Sequence, residues 1–228
     1  MIKTFDKKLV IILSVFLLAV LIYFLPIPMK FKICLPLAVL AIASLFTLPW
    51  QMCACFWAAC IGDLFAGLGN FEVQLICFTL SLIFLIFFLL VQFNGIDPKS
   101  KQQIIALIAC LLVFNSAMFL IVPYTPMGMV RTTVIIYSIV VASMLYFGIM
   151  QWNGVLIIAV TLFLFSNYAL GWNKFVNSFP NSNFLIMISY YMAQMLFFIG
   201  AYQNTKKWKL FKQLRKEALL AAAAKKQK

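Results

Sequence analysis

Val73-Gln74-Leu75-Ile76-Cys77-Phe78-Thr79-Leu80-Ser81-Leu82-Ile83-Phe84-Leu85-Ile86-Phe87-Phe88-Leu89-Leu90-Val91-Gln92-Phe93 runs without a charge from Glu72 to the polar stretch that begins at Asn94. A helix rises about 1.5 Å per residue, so a run of this length reaches across the roughly 30 Å hydrocarbon core of a bilayer. Segments of the same kind lie on either side of it, near 9–25, 33–48, 52–70, 104–122, 130–150, 154–171 and 184–202. Helix breakers separate them: Pro26-Ile27-Pro28, Pro49-Trp50, Gly69-Asn70, the stretches 94–103, 123–126 and 171–183, and Asn153-Gly154. The connections are short and leave no room for an inserted soluble domain. The predicted fold is all-α, a polytopic transmembrane helix bundle of about eight spans over 1–202, followed by a basic cytoplasmic amphipathic tail over 203–228. The second span is the shortest, with Pro36 tolerated in its first turn, and a re-entrant segment is the alternative there.

Composition agrees. Of 228 residues, 65% are hydrophobic and 10% charged, against about 25% charged in soluble domains, and the mean hydropathy is +1.06. There is no histidine, which excludes His-dependent triads, haem ligation through His and His-based zinc sites. Cys34, Cys53, Cys55, Cys60, Cys77 and Cys110 all fall inside proposed spans without a CxxC pair, and read as small hydrophobes rather than a disulfide framework.

With an even number of spans both termini share a side. Fourteen of the 18 Lys and Arg then lie with the termini and the 94–103 loop, and four (Lys30, Lys32, Arg131, Lys174) on the other side. The positive-inside rule places both termini in the cytoplasm, and a bacterial inner membrane is the expected location. Tyr23, Trp50, Trp152, Trp172 and Tyr202 fall near span ends, as interfacial aromatics do. The first span lacks a small-residue cleavage site and reads as an uncleaved anchor. In the tail, Trp208, Phe211, Leu214, Ala218 and Ala221 recur every three to four residues among Lys and Arg, the pattern of an interfacial helix on anionic headgroups. Nothing in it resembles a nucleic-acid recognition module, and no nucleic-acid partner is expected.

Five acidic residues are present, and Asp63 is the one placed well inside a span. A carboxylate there costs about 2.5 to 3.5 kcal/mol on insertion scales, so Asp63 is expected to face the bundle interior or a wet cavity and to have a functional role. Ala58, Gly62 and Ala66 form a small-residue ridge beside it, which lets a neighbouring backbone approach. The candidate partners are uncharged: Ser166 and Asn167 in the seventh span, Tyr190, Tyr191 and Gln194 in the eighth, Asn115 and Ser116 in the fifth, Tyr137 in the sixth. Singly each reads as an interhelical hydrogen bond; converging on one acid they would make a polar chamber.

Four pieces together resemble the YhhN-like lysoplasmalogenase family of eight-span membrane proteins. They are Gly62-Asp63-Leu64, Phe165-Ser166-Asn167 followed by Asn173-Lys174-Phe175, Tyr190-Tyr191-Met192-Ala193-Gln194, and Cys34-Leu35-Pro36-Leu37 with Lys32 as the nearest lysine. Two positions depart from the family: Asn167 stands where many members carry Asp, and Ser81-Leu82 where many have a histidine. The resemblance implies hydrolysis of the vinyl ether of a lysoplasmalogen to a fatty aldehyde and a glycerophospho-headgroup. It implies Asp63 as general acid and base, and Asn167 and Tyr190 as catalytic partners positioning the ether oxygen or the water. Ser166, Gln194 and Tyr191 would bind and brace the substrate, with Lys174 or Lys32 meeting its phosphate. No metal or organic cofactor is required for this chemistry. Two other readings are a non-catalytic lipid-binding or lipid-translocating protein of the same fold and a small-solute transporter, the latter opposed by the lack of an evident inverted repeat.

Overall fold

The computed structural model describes residues 6–91, 101–151 and 153–226, with side chains for all of these except 30 and 209–226. Eight α-helices follow in order among the described residues: α1 (Lys7–Phe24), α2 (Leu35–Thr47), α3 (Trp50–Gly67), α4 (Phe71–Val91), α5 (Lys101–Leu120), α6 (Met129–Ile149), α7 (Gly154–Gly171) and α8 (Ser182–Lys226). No strand occurs among them. Short 3-10 turns precede α2 (Lys30–Ile33) and follow α5 (Val122–Tyr124), and a π-helical turn, Trp172–Val176, extends α7.

Local chemistry sets the helix ends. Oδ1 of Asp6 accepts from the Lys8 N–H at the start of α1, and Oδ1 of Asn153 from the Val155 N–H at the start of α7. Between α3 and α4 the chain turns through Gly69, whose φ of +78° favours glycine, and Asn70 then caps α4 by accepting from the Val73 N–H. Pro36 sits in the first turn of α2, where its missing N–H costs no helical bond.

Among the described residues six helices are long and apolar enough to cross a membrane: α1, α4, α5, α6, α7, and α8 as far as Trp208. The chain is therefore a multi-pass helical membrane protein. α2 has 13 residues and rises about 20 Å, less than the full hydrocarbon thickness, so the shortest expected span is shorter still in the structure. α3, 18 residues that include Gln51 and Asp63, is not one of the six.

The helices alternate in direction. At one end Asp6 pairs with Lys206, Gln102 Nε2 donates to the Ile149 carbonyl and Gln151 Nε2 to the Leu89 carbonyl. At the other, Lys32 reaches the Leu25 carbonyl and Glu72, Pro126 and Lys174 surround one hollow. Neighbours pack in the sequence α1, α2, α3, α4, α6, α7, α8, and α8 returns to touch α1 and α2; α5 lies outside against α6. The ring is filled by Phe16, Phe56, Phe198 and Tyr191 together with Leu37, Leu40 and Met52, all essentially fully buried. Outward-facing Phe46, Phe119, Leu112 and Ile105 are exposed, a liability in water and the normal dress of a lipid-facing surface.

The helical backbone of α8 continues without a break from the bundle into the basic tail. Tyr202 lies within α8 but level with the start of α1, where its hydroxyl donates to Asp6, the residue that caps α1; Tyr23, Trp50 and Trp172 lie at or next to helix ends. Trp152, residues 92–100 and the side chains of Phe211, Leu214, Ala218 and Ala221 lie outside the described residues.

Candidate active site

Asp63 lies one turn before the end of α3 and is 2% exposed. Its depth has a packing cause. A Cβ on Gly62 would stand 3.1 Å from Cε1 of Phe78 and 3.4 Å from Cβ of Cys77, so the glycine lets α3 settle closely against α4 beside Asp63. From the far side of the bundle, Tyr190 of α8 donates its hydroxyl to Oδ2 of Asp63 at 3.2 Å. Three rings hold the Tyr190 ring: Phe78 edge-on at 5.8 Å between centroids, Phe163 at 6.1 Å and Tyr191 at 5.4 Å. Among the described residues no lysine or arginine pairs with Asp63; the ion pair present is Lys206 with Asp6, at the opposite end.

Asp63 and Tyr190 open on a cavity of about 220 Å³ whose wall also includes Ile33, Gln74, Ser166, Asn167, Asn173 and Asn183. This volume suits a glycerol-sized polar body rather than a whole lipid. A smaller apolar slot of about 70 Å³ adjoins it, with Gln74, Phe78, Asn167 and Leu170 common to both walls. A more open hollow of about 450 Å³, with Asn70, Glu72 and Lys174 on its rim, faces the same end of the bundle and shares Phe71 and Phe175 with the slot.

Asp63, Ser166, Asn167 and Tyr190 are thus brought to one cavity, from α3, α7 and α8. Ser166 is fixed by donating to the Ile186 carbonyl at 2.8 Å, which pins α7 to α8. Asn167 is engaged twice: its Oδ1 accepts from the Tyr137 hydroxyl at 2.5 Å, and its Nδ2 donates to the Phe163 carbonyl at 2.7 Å. Its amide carries a second Nδ2 hydrogen, and the residue is part of the cavity wall.

The other expected residues do not line the cavity. Tyr191, 1% exposed, donates to the Ile33 carbonyl at 2.8 Å and so holds the turn that supplies Ile33 to the wall. Lys32 donates to the Leu25 carbonyl at 2.9 Å and lies 5.7 Å above the Tyr23 ring. Lys174 stands 4.3 Å over the Phe71 ring, on the outer hollow. Gln194 is buried one turn beyond Tyr190. Asn115 turns back to its own Leu111 carbonyl, and Ser81 bridges to Cys55 on α3, its Oγ donating to the Cys55 carbonyl at 2.9 Å. Among the described residues no three His, Cys, Asp or Glu side chains come together as a metal site.

Sequence reasoning passed over Gln74, Asn183 and the role of Asn173. Gln74 hid in the first turn of α4, where a polar residue reads as a helix start. Asn173 is delivered by the π-helical turn after α7, which no apolar periodicity signals.

The model of a family described as the YhhN family matches residues 27–201, which include every residue of the cavity wall. A relative named lysoplasmalogenase TMEM86B, from Mus musculus, is 30% identical over 110 residues, which are 48% of this chain and 46% of the relative. The chain thus spans about half the length of that curated relative. No solved structure matches.

Proposed function

Because the chain belongs to the YhhN family, we propose that it is a membrane-embedded hydrolase that cleaves the vinyl ether of lysoplasmalogens to a fatty aldehyde and a glycerophospho-headgroup, with Asp63 as general acid and base. The observation that carries this reading is the Asp63–Tyr190 hydrogen bond on the wall of a cavity inside an apolar bundle. Burying an unpaired carboxylate is costly, so Asp63 works from its neutral acid form. Tyr190 donates to Oδ2, which leaves Oδ1 to carry the acidic proton.

The reaction consumes one water. The Asp63 proton passes to the vinyl carbon one removed from the ether-bearing carbon, and the ether oxygen lone pair stabilises the resulting oxocarbenium ion. Water adds to the cationic carbon and gives a proton to the Asp63 carboxylate. The hemiacetal then breaks its bond to the glycerol oxygen, which leaves as a hydroxyl after taking a proton from the acid; the hemiacetal hydroxyl proton returns to the carboxylate as the carbonyl forms. Tyr190 holds the acid in place, and the second Nδ2 hydrogen of Asn167, in the same wall, meets the ether oxygen or the water. Lys174, on the outer hollow, meets the phosphate, and the alkyl chain lies along the apolar helices. With both termini in the cytoplasm, the orientation that the charge asymmetry favours, the cavity opens toward the opposite face.

A second reading, lipid binding without catalysis, draws on Asn167, whose oxygen is already held by Tyr137. The test is release of free fatty aldehyde, read by mass spectrometry, from a lysoplasmenyl lipid given to the purified protein. A saturated 1-alkyl lipid serves as the control that cannot react. Aldehyde from the first lipid alone is expected; none across several headgroups leaves lipid binding in its place.

A further inference from the structure

The five-residue π-helical turn Trp172–Val176 sends consecutive side chains to different places. Lys174 lies over the Phe71 ring at the rim of the outer hollow, and Asn173 lines the Asp63 cavity. The turn is closed by the Asn177 N–H donating to the Trp172 carbonyl at 3.0 Å, so this division is built into the backbone. Oδ1 of Asn173 is buried and meets no hydrogen-bond donor among the described residues. The contrast with its neighbours is sharp: the Asn167 oxygen has Tyr137, the Ser166 hydroxyl has the Ile186 carbonyl, and Asp63 has Tyr190. A buried carbonyl oxygen without a donor is a standing cost, and a ligand that brings an O–H or N–H removes it.

We propose that Asn173 is a specificity-determining residue whose Oδ1 accepts a hydrogen bond from the free hydroxyl on glycerol carbon 2 of a lyso-lipid. The inference rests on the hydrolase reading above and deepens it. Close to the scissile bond, a lyso-ether lipid carries acceptors, the ether oxygen and the phosphate oxygens, and one donor, the hydroxyl on carbon 2. That carbon lies between the ether and the phosphate; Asn173 shares a wall with Asp63 and is the chain neighbour of Lys174 on the outer hollow. A lipid acylated on carbon 2 has no proton to give there. It sets ester oxygens against Oδ1 and adds a second chain to a cavity of about 220 Å³. A site built around a hydroxyl rejects the analogue lacking it because its own polar group is left unpaired.

The test uses the full chain in detergent and a ligand that cannot be turned over: a saturated 1-alkyl lysophospholipid with a free hydroxyl on carbon 2, against the same lipid with that hydroxyl methylated. Wild type is expected to bind the free-hydroxyl form about tenfold more tightly, the worth of one buried hydrogen bond. Asn173→Leu is expected to bring the ratio to about one by weakening the free-hydroxyl form, and Asn173→Asp, which keeps an acceptor, to preserve the preference. Equal binding of the two lipids by wild type overturns the proposal, whether or not Asn173→Leu folds, and so does a preference that survives in a folded Asn173→Leu. Since the ligand has no vinyl ether, the absence of aldehyde from a lysoplasmenyl substrate would count against the hydrolase reading alone and leave this binding preference to be read on its own.

Discussion

The Tyr190 hydroxyl on α8 donates to Oδ2 of Asp63 on α3, joining across the bundle two residues 127 positions apart in the chain. The bond gives the buried acid a fixed orientation without supplying a counter-charge. A lysine in the same place would favour the carboxylate; a tyrosine leaves the acid able to carry its proton.

Tyr190→Phe keeps the ring that Phe78, Phe163 and Tyr191 pack around and removes only the donor. The expected outcome is a kcat about 10- to 100-fold lower with KM little changed, because the acid loses its orientation while the lipid keeps its contacts. Stability to unfolding in detergent should fall by about 1 to 3 kcal/mol, the cost of leaving a buried acceptor without its donor. An unchanged kcat would remove Tyr190 from the site.

Gly62→Ala places a methyl 3.1 Å from the Phe78 ring, which is itself packed against Tyr190. Overpacking of this kind costs about 1 to 3 kcal/mol, and the displaced Phe78 ring should disturb Tyr190 as well. The unfolding midpoint and the aldehyde yield per folded molecule are expected to fall together. A variant as stable as wild type would show that α3 and α4 have slack at this crossing.

Both relationships show how far the sequence could be read. Helix positions followed from apolar runs broken by Pro, Gly and Asn, and Asp63 stood out because an acid in a span needs a reason. Tyr190 was legible by its residue type and its place in the eighth segment. The pairing of Asn167 with Tyr137 was not, since it depends on how α6 and α7 rotate against each other. Lys32 illustrates the limit: a lysine at a span entry reads as a headgroup ligand, and nothing in that reading signals the bond to the Leu25 carbonyl by which it also closes the turn between α1 and α2. The place of Asn173 on the cavity wall was out of reach because the π-helical turn that aims it leaves no periodic mark in the sequence.

At the opposite end, Asp6 pairs with Lys206 and accepts from the Tyr202 hydroxyl, tying the start of α1 to α8. The Lys206 ammonium first, then the Tyr202 hydroxyl and the Lys8 N–H, hold the Asp6 carboxyl down from its ordinary 3.8 to about 2. The unfolded chain therefore binds the proton more readily. The stabilisation is complete above about pH 4 and is lost as pH falls through 2. Asp6→Asn, which keeps the helix cap, should flatten this part of the profile, so that the unfolding midpoint of wild type drops further than the variant's between pH 5 and 2. Parallel profiles would show that the pair contributes nothing to folding.

The charge asymmetry makes a prediction about sidedness. A cysteine placed at Thr205 should react with a membrane-impermeant maleimide only after cells are opened, and one placed at Glu72, on the rim of the outer hollow, should react in intact cells. Labelling in the reverse order would invert the orientation and move the mouth of the cavity to the cytoplasmic face.

The central claim is that Asp63 delivers the proton that breaks the vinyl ether. Its most direct test is fatty aldehyde release from a lysoplasmenyl lipid by wild type and Asp63→Asn, compared per folded molecule and run in deuterated water. The account predicts aldehyde from wild type bearing one deuterium on the carbon next to the carbonyl, and at least a 100-fold slower release from Asp63→Asn, the scale of a lost general acid. Comparable aldehyde from a folded Asp63→Asn would contradict it.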